Sequence, residues 1–213
     1  MTSPPRRART AERLRRLAHA FMSYELPTDL LDEITTAVDA LLPRIEACPH
    51  RVTRHPDQRT FEAALAAGDV AELIDRAYTP LFGHTMISGP ANPMGVDAAF
   101  RREGDTVVAE VVLGRAYEGA PGRAHGGILS AILDETMGAA ALLSGDLAFT
   151  GQLTVTYRAP TPIETPLEFR AWITGREDRK IFVHGEGRHE DRLLTEAEGV
   201  FVVPAEPPWT ATG

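Results

Sequence analysis

At 213 residues, with 43% hydrophobic and 24% charged side chains, the chain has the composition of one ordinary globular domain plus an extension, which excludes a fibrous repeat or a wholly disordered chain. The net charge of -8 excludes a general nucleic-acid binder, because affinity for the phosphate backbone requires a basic surface. A single cysteine, Cys48, excludes an intrachain disulfide and suits a reducing compartment, read here as cytoplasmic.

In chain order, "RRARTAERLRR" comes first, with six arginines beside one glutamate. A basic front end thus precedes an acidic body. Leu14, Leu17 and Phe21 follow helical spacing over residues 10 to 24, and Leu30, Leu31, Ile34, Val38, Leu41 and Leu42 do so over 28 to 47. A third helical piece, "DQRTFEAALAAGDVAELIDRAY", is broken at Gly68-Asp69. Residues 1 to 80 therefore read as an all-helical extension, whose apolar stripes need a surface to cover. Residues 81 to 95, rich in glycine and proline, read as a linker. No 18-residue apolar run occurs, so no membrane span is expected.

From residue 96 the apolar period changes to two. A hairpin is predicted around Glu103-Gly104-Asp105, with Val107, Ala109, Val111 and Leu113 on one face of its second strand. A long apolar helix is predicted after Gly126, then three or four strands up to residue 206, with 207 to 213 as a tail. In the first of those strands Phe149, Leu153, Val155 and Tyr157 alternate with Thr150, Gln152, Thr154, Thr156 and Arg158, which puts Thr150 on the polar side. Two strands, one helix and a further run of strands imply an α+β fold, in which an antiparallel sheet curves around a central helix.

That helix carries the chemistry. His125-Gly126-Gly127 falls where it begins, and there the first N-H groups lack helical partners and the macrodipole adds positive character. Such a terminus suits a carbonyl oxygen that becomes an oxyanion. One stripe runs through Gly127, Ser130 or Ala131, Asp134, Gly138 and Ala141, every member small except the acid. Asp134 costs several kcal/mol if buried without compensation, so it is paired or retained for chemistry. Eight residues separate it from Gly126, roughly 12 Å along the axis, so one reacting carbon cannot touch both in one chain. If both act on one bond, two copies of the helix must run antiparallel across a two-fold axis. His184, His189 and Asp191 are too loosely spaced for a zinc site, and no metal is expected.

"PGRAHGGILSAILDETMG" resembles the signature of hot-dog-fold acyl-CoA thioesterases, in particular the PaaI-like (phenylacetate-pathway) branch of lipid and aryl-acid metabolism and the members with an N-terminal extension. The likeness covers roughly residues 90 to 204. It implies Asp134 as general base or nucleophile, the Gly126 N-H as the group that polarises the thioester carbonyl, and His125 as the residue that orients the helix start. It also implies an assisting role for Thr150, sixteen residues beyond the acid. Some relatives have an asparagine six residues before the histidine, where this chain has Gly119. Coenzyme A would belong to substrate and product, with no resident cofactor, and Arg123, Arg158, Arg179 and Lys180 are candidates for its phosphates. The partners implied are an acyl-CoA substrate and a second subunit in a composite-site homodimer, which could pair further into a tetramer. The alternatives are a non-catalytic acyl-CoA binding or sensing protein and another hot-dog enzyme, such as a hydratase.

Overall fold

The computed structural model describes residues 6–51 and 83–205. Helices α1 (Arg6–Ser23) and α2 (Thr28–Glu46) come first, and then the hairpin of β1 (Ala99–Glu103) and β2 (Thr106–Val112). A 3-10 turn at Arg115–Tyr117, helix α3 (Gly126–Leu142) and strands β3 (Phe149–Tyr157), β4 (Pro166–Glu177), β5 (Lys180–His189) and β6 (Arg192–Val202) complete the order. The helical spacing, the change of period and the turn residues thus mark elements that form. The helical piece at 57–78 and the tail at 207–213 lie outside the described residues.

The six strands make one antiparallel sheet in the order β1-β2-β4-β5-β6-β3. Its tight turns fall where Gly104, Asp178 and Glu190 take positive φ, positions that short polar residues and glycine tolerate best. Helix α3 packs against β2, β4, β5, β6 and β3. Five neighbouring strands span about 19 Å between their outer axes, nearly twice the width of one helix of about 10 Å. Contact of α3 with all five fits a sheet that curls around it. Glycines on the concave face make the seat: an added Cβ at Gly185 would lie 2.9 Å from Met137 Sδ, and one at Gly199 would lie 2.7 Å from Met137 Cε.

The core is the buried face of α3, with Leu129, Ile132, Leu133 and Met137 set into Val107, Phe169, Ile181, Val183 and Phe201 of the sheet. Each large side chain removed from water there contributes about 1.5–3 kcal/mol. The face left less buried carries Gly127, Ser130, Asp134 and Gly138.

Helix α1 docks on this body through Ala8, Ala11 and Arg15, spaced along one face and all buried. Arg15 donates to the carbonyls of Pro90 at 3.0 Å and Asn92 at 2.8 Å and pairs with Asp97 at 2.6 Å. A guanidinium this far from water is tolerated because its donors are taken. His19 Nδ1 accepts from the Ala116 N-H at 3.2 Å, and its ring meets Tyr117 edge-on at 5.0 Å. An Arg-rich helix face ordinarily lies in solvent; Arg15 departs from that because it serves as a bolt between α1 and the 90–97 loop. Helix α2, in contrast, buries no side chain.

Candidate active site

Three elements converge on the open face of α3: its own first turn, the loop before it, and the edge strand β3. His125 caps the helix, its Nδ1 accepting from the Gly127 N-H at 3.0 Å, while its carbonyl accepts from the Ile128 N-H at 3.0 Å. The Gly126 N-H has no acceptor among the described residues. A free amide at a helix start, in the field of the macrodipole, is a donor aimed outward.

Tyr157 covers this turn. Its hydroxyl donates to the Gly126 carbonyl at 2.9 Å and lies 2.7 Å from Ser130 Oγ; with its one proton spent on the carbonyl, it accepts from the serine. The ring stands over Gly126 so closely that an added Cβ would lie 3.1 Å from it. Sequence reasoning missed this role, because the alternation of β3 marks Tyr157 only as one of the core-side apolar positions.

Asp134 lies about two turns further along, half-buried. Its Oδ1 accepts from Thr150 Oγ1 at 2.7 Å. Simple alternation puts Thr150 with Gln152 and Thr154 on the polar side, and here the structure differs. Thr150 pairs with Phe201 and Gln152 with Val200, so Gly151 is an extra residue in the ladder. One extra residue reverses the phase of a strand. Thr150 therefore shares the helix side with Leu153, Val155 and Tyr157. The second carboxylate oxygen of Asp134 has no hydrogen-bond partner among the described residues.

Glu135, the residue after Asp134, holds the loop before β1: it accepts from the Ser88 N-H at 3.1 Å and Thr85 Oγ1 at 3.2 Å, and from Ser88 Oγ. Gly119, where some relatives have asparagine, packs on His125, and an added Cβ would lie 2.9 Å from the His125 Cα. No side chain fits there in this loop.

A cleft of about 480 Å³ opens beside the helix start, lined by Arg123, His125, Gly126, Tyr157, Arg158 and Thr161 among others. Of the four basic candidates, Arg123 and Arg158 border it. Arg158 is bound to Glu196, its Nε at 3.1 Å, and that pairing holds the Glu196 carboxyl below its ordinary range. Arg123 has no carboxylate partner among the described residues. Arg179 and Lys180 lie at the β4–β5 turn, Arg179 donating to the Val203 carbonyl at 3.2 Å. Lys180 pairs with Val202, which also pairs with Phe149, at the opposite end of β3 from Tyr157. Within one chain the fold separates these two from the cleft. No group of three or more metal-binding side chains occurs among the described residues.

Residues 121–196 match the thioesterase superfamily domain. Among curated proteins, the chain is similar to acyl-coenzyme A thioesterase THEM4 of Mus musculus, 34% identical over 91 residues that make up 42% of this chain and 39% of that protein. It is also similar to acyl-coenzyme A thioesterase THEM5 of Homo sapiens, 31% identical over 91 residues, 42% of this chain and 37% of that one. The chain thus spans about two fifths of the length of these relatives. Among solved structures, the thioesterase superfamily protein RHA08564 superposes with a TM-score of 0.75 at 24% identity, covering 95% of this chain and 97% of that one. The helix, the wrapped sheet and the strand order described above are those of a hot-dog fold, and residues 121–196 within it are similar to the thioesterase superfamily domain.

Proposed function

We propose that this chain hydrolyses an acyl- or aryl-coenzyme A thioester to the free acid and coenzyme A, as a PaaI-like enzyme of lipid or aryl-acid metabolism. The observation that carries the reading is the Thr150–Asp134 hydrogen bond of 2.7 Å on the same helix face as the free Gly126 N-H. Asp134 acts as the base toward water or as the nucleophile, with Thr150 fixing one oxygen and directing the other. The Gly126 N-H receives the carbonyl oxygen as it gains charge. A thiolate leaves with little help, since its parent thiol is acidic, with a pKa near 8.5 if cysteine-like. The reaction calls on no resident metal or cofactor; coenzyme A arrives with the substrate and departs as product.

Gly126 and Asp134 are about 12 Å apart along one helix, so the reading includes a homodimer with sites shared between subunits. The two sheet edges support it. Edge strand β1 carries Arg101, Arg102 and Glu103, charges that guard against further pairing, whereas β3, "FTGQLTVTY", has none. Antiparallel pairing of β3 with β3 of a second copy would run the two α3 helices in opposite directions, each Gly126 toward the other's Asp134. Arg123 and Arg158, at the cleft, are suited to the phosphates of coenzyme A. The unpaired, exposed Cys48 suits a reducing, cytoplasmic setting.

The test is free-thiol release from a panel running from acetyl- to palmitoyl-CoA plus aryl thioesters, with Asp134→Asn beside the wild type. Loss of about 10²–10⁴-fold in kcat is expected for a missing base. Full activity of Asp134→Asn would remove the assignment, and saturable acyl-CoA binding without turnover by the wild type would make the chain a binding or sensing protein instead.

A further inference from the structure

The exposed large apolar side chains concentrate in the two N-terminal helices. On α1, Leu17 and Phe21 lie on a face turned away from the docked Ala8, Ala11 and Arg15, with Leu14 at its border beside Ala11, and each of the three is about half exposed. On α2, Leu31, Val38, Leu41, Leu42 and Ile45 follow helical spacing and are 37–64% exposed. Isolated helices of this length are marginal in water, and most gain their stability by burying one apolar face. Exposed apolar faces of this size on two helices call for an occupant.

The charges identify it. Helix α1 holds six arginines against one glutamate, whereas α2 holds five acids against one arginine. Each therefore complements the other in both charge and apolar stripe. Yet within one chain the stripes of both stay open, so α1 does not cover its own α2. The third helical stretch of the sequence, residues 57–78, has five acids against two arginines and matches α2 in sign rather than complementing it. Among the described residues, the strongly basic amphipathic helix left to meet α2 is the α1 of another copy.

We propose that α1 and α2 form an exchange arm, in which the α1 of each of two copies lies along the α2 of the other. The contact is reciprocal, so it closes a pair under two-fold symmetry and adds no open surface for further growth. Because α1 is bolted to the body through Arg15 and His19, the arm ties each subunit's helices to the other's body. This inference is independent of the thioester reading: the arm is read by cross-linking and the reaction by thiol release.

Leu17 and Val38 lie near the middle of their helices, so they come abreast whether the paired helices run parallel or antiparallel. In a Cys48→Ser background, chains with Leu17→Cys are mixed with chains with Val38→Cys and treated with a short bismaleimide. A cross-linked product of twice the chain mass is expected, with the linkage between the two introduced thiols, each on a differently labelled chain, identified by mass spectrometry. An exposed control, Asp105→Cys mixed with Val38→Cys, should give none. A chain carrying both substitutions that cross-links only to itself would overturn the proposal in favour of an intrachain cover. Absence of interchain product, together with co-sedimentation with phosphatidylglycerol vesicles, would overturn it in favour of a membrane surface. Since mutations can damage folding, charge reversal is the second arm of the test. Arg13→Glu/Arg16→Glu should abolish cross-linking, and mixing with chains in which Asp32 and Glu33 are replaced by arginine should restore it; no recovery in a mixture whose helical circular dichroism is intact would overturn the exchange.

Discussion

Thr150 shows how much one hydroxyl can depend on the backbone beneath it. Its bond to Asp134 is charge-assisted, worth about 1.5–3 kcal/mol, so Thr150→Val is expected to lower kcat about 10–100-fold while Thr150→Ser retains most of the rate, as checked by steady-state thiol release. The acid, its spacing from the histidine and the helix start were legible in the sequence, because small residues around one carboxylate on a 3.6-residue stripe describe a slot. The side on which Thr150 faces was not: alternation counts residues, and it cannot see that Gly151 is left out of the ladder. Tyr157 was hidden for a different reason. Its apolar position in the pattern is correct, but its hydroxyl function depends on the carbonyl of Gly126, thirty-one residues earlier.

Among the elements, α1 is the one whose environment differs most from its composition. An arginine-rich helix reads as solvated, and nothing local distinguishes Arg15 from its neighbours; only the carbonyls of the 90–97 loop, far along the chain, do so. The strands and α3 were legible because their patterns reflect a single large core, whereas α1 sits on a small polar contact. That contact includes a titrating group. Burial, and then the charge of Arg15, lower the pKa of His19 below its usual 6.5. Between that lowered value and 6.5 the unfolded chain binds more protons at this site than the folded one, so stability rises with pH across the window and is lost as pH falls through it. Protonation also removes the Nδ1 acceptor that Ala116 uses. Thermal unfolding followed by circular dichroism from about pH 7.5 down to about pH 5, across the titration range of histidine, should show α1 loosening in the wild type. His19→Asn, which keeps an acceptor but cannot be charged, should flatten that dependence.

For the whole molecule, the expectation is that each reaction centre draws on two chains. A chain with Asp134→Asn retains a sound helix start, and one with Gly126→Val retains a sound acid, although its added side chain meets the Tyr157 ring. Each alone should be inactive. Unfolded together and refolded in equal amounts, half of the pairs would be mixed and each would hold one intact centre of two, so about a quarter of wild-type activity should return. No recovery, with mixed pairs present by mass, would place both groups in the same chain's centre. Gly151 has a wider bearing. The aim of Thr150 is set by a count of backbone units rather than by the choice of a side chain. Two homologues could therefore share every residue of interest and still differ in chemistry, if one of them has lost a single unit from this strand. When function is transferred between such chains, a one-residue gap near the threonine should weigh more than many substitutions elsewhere.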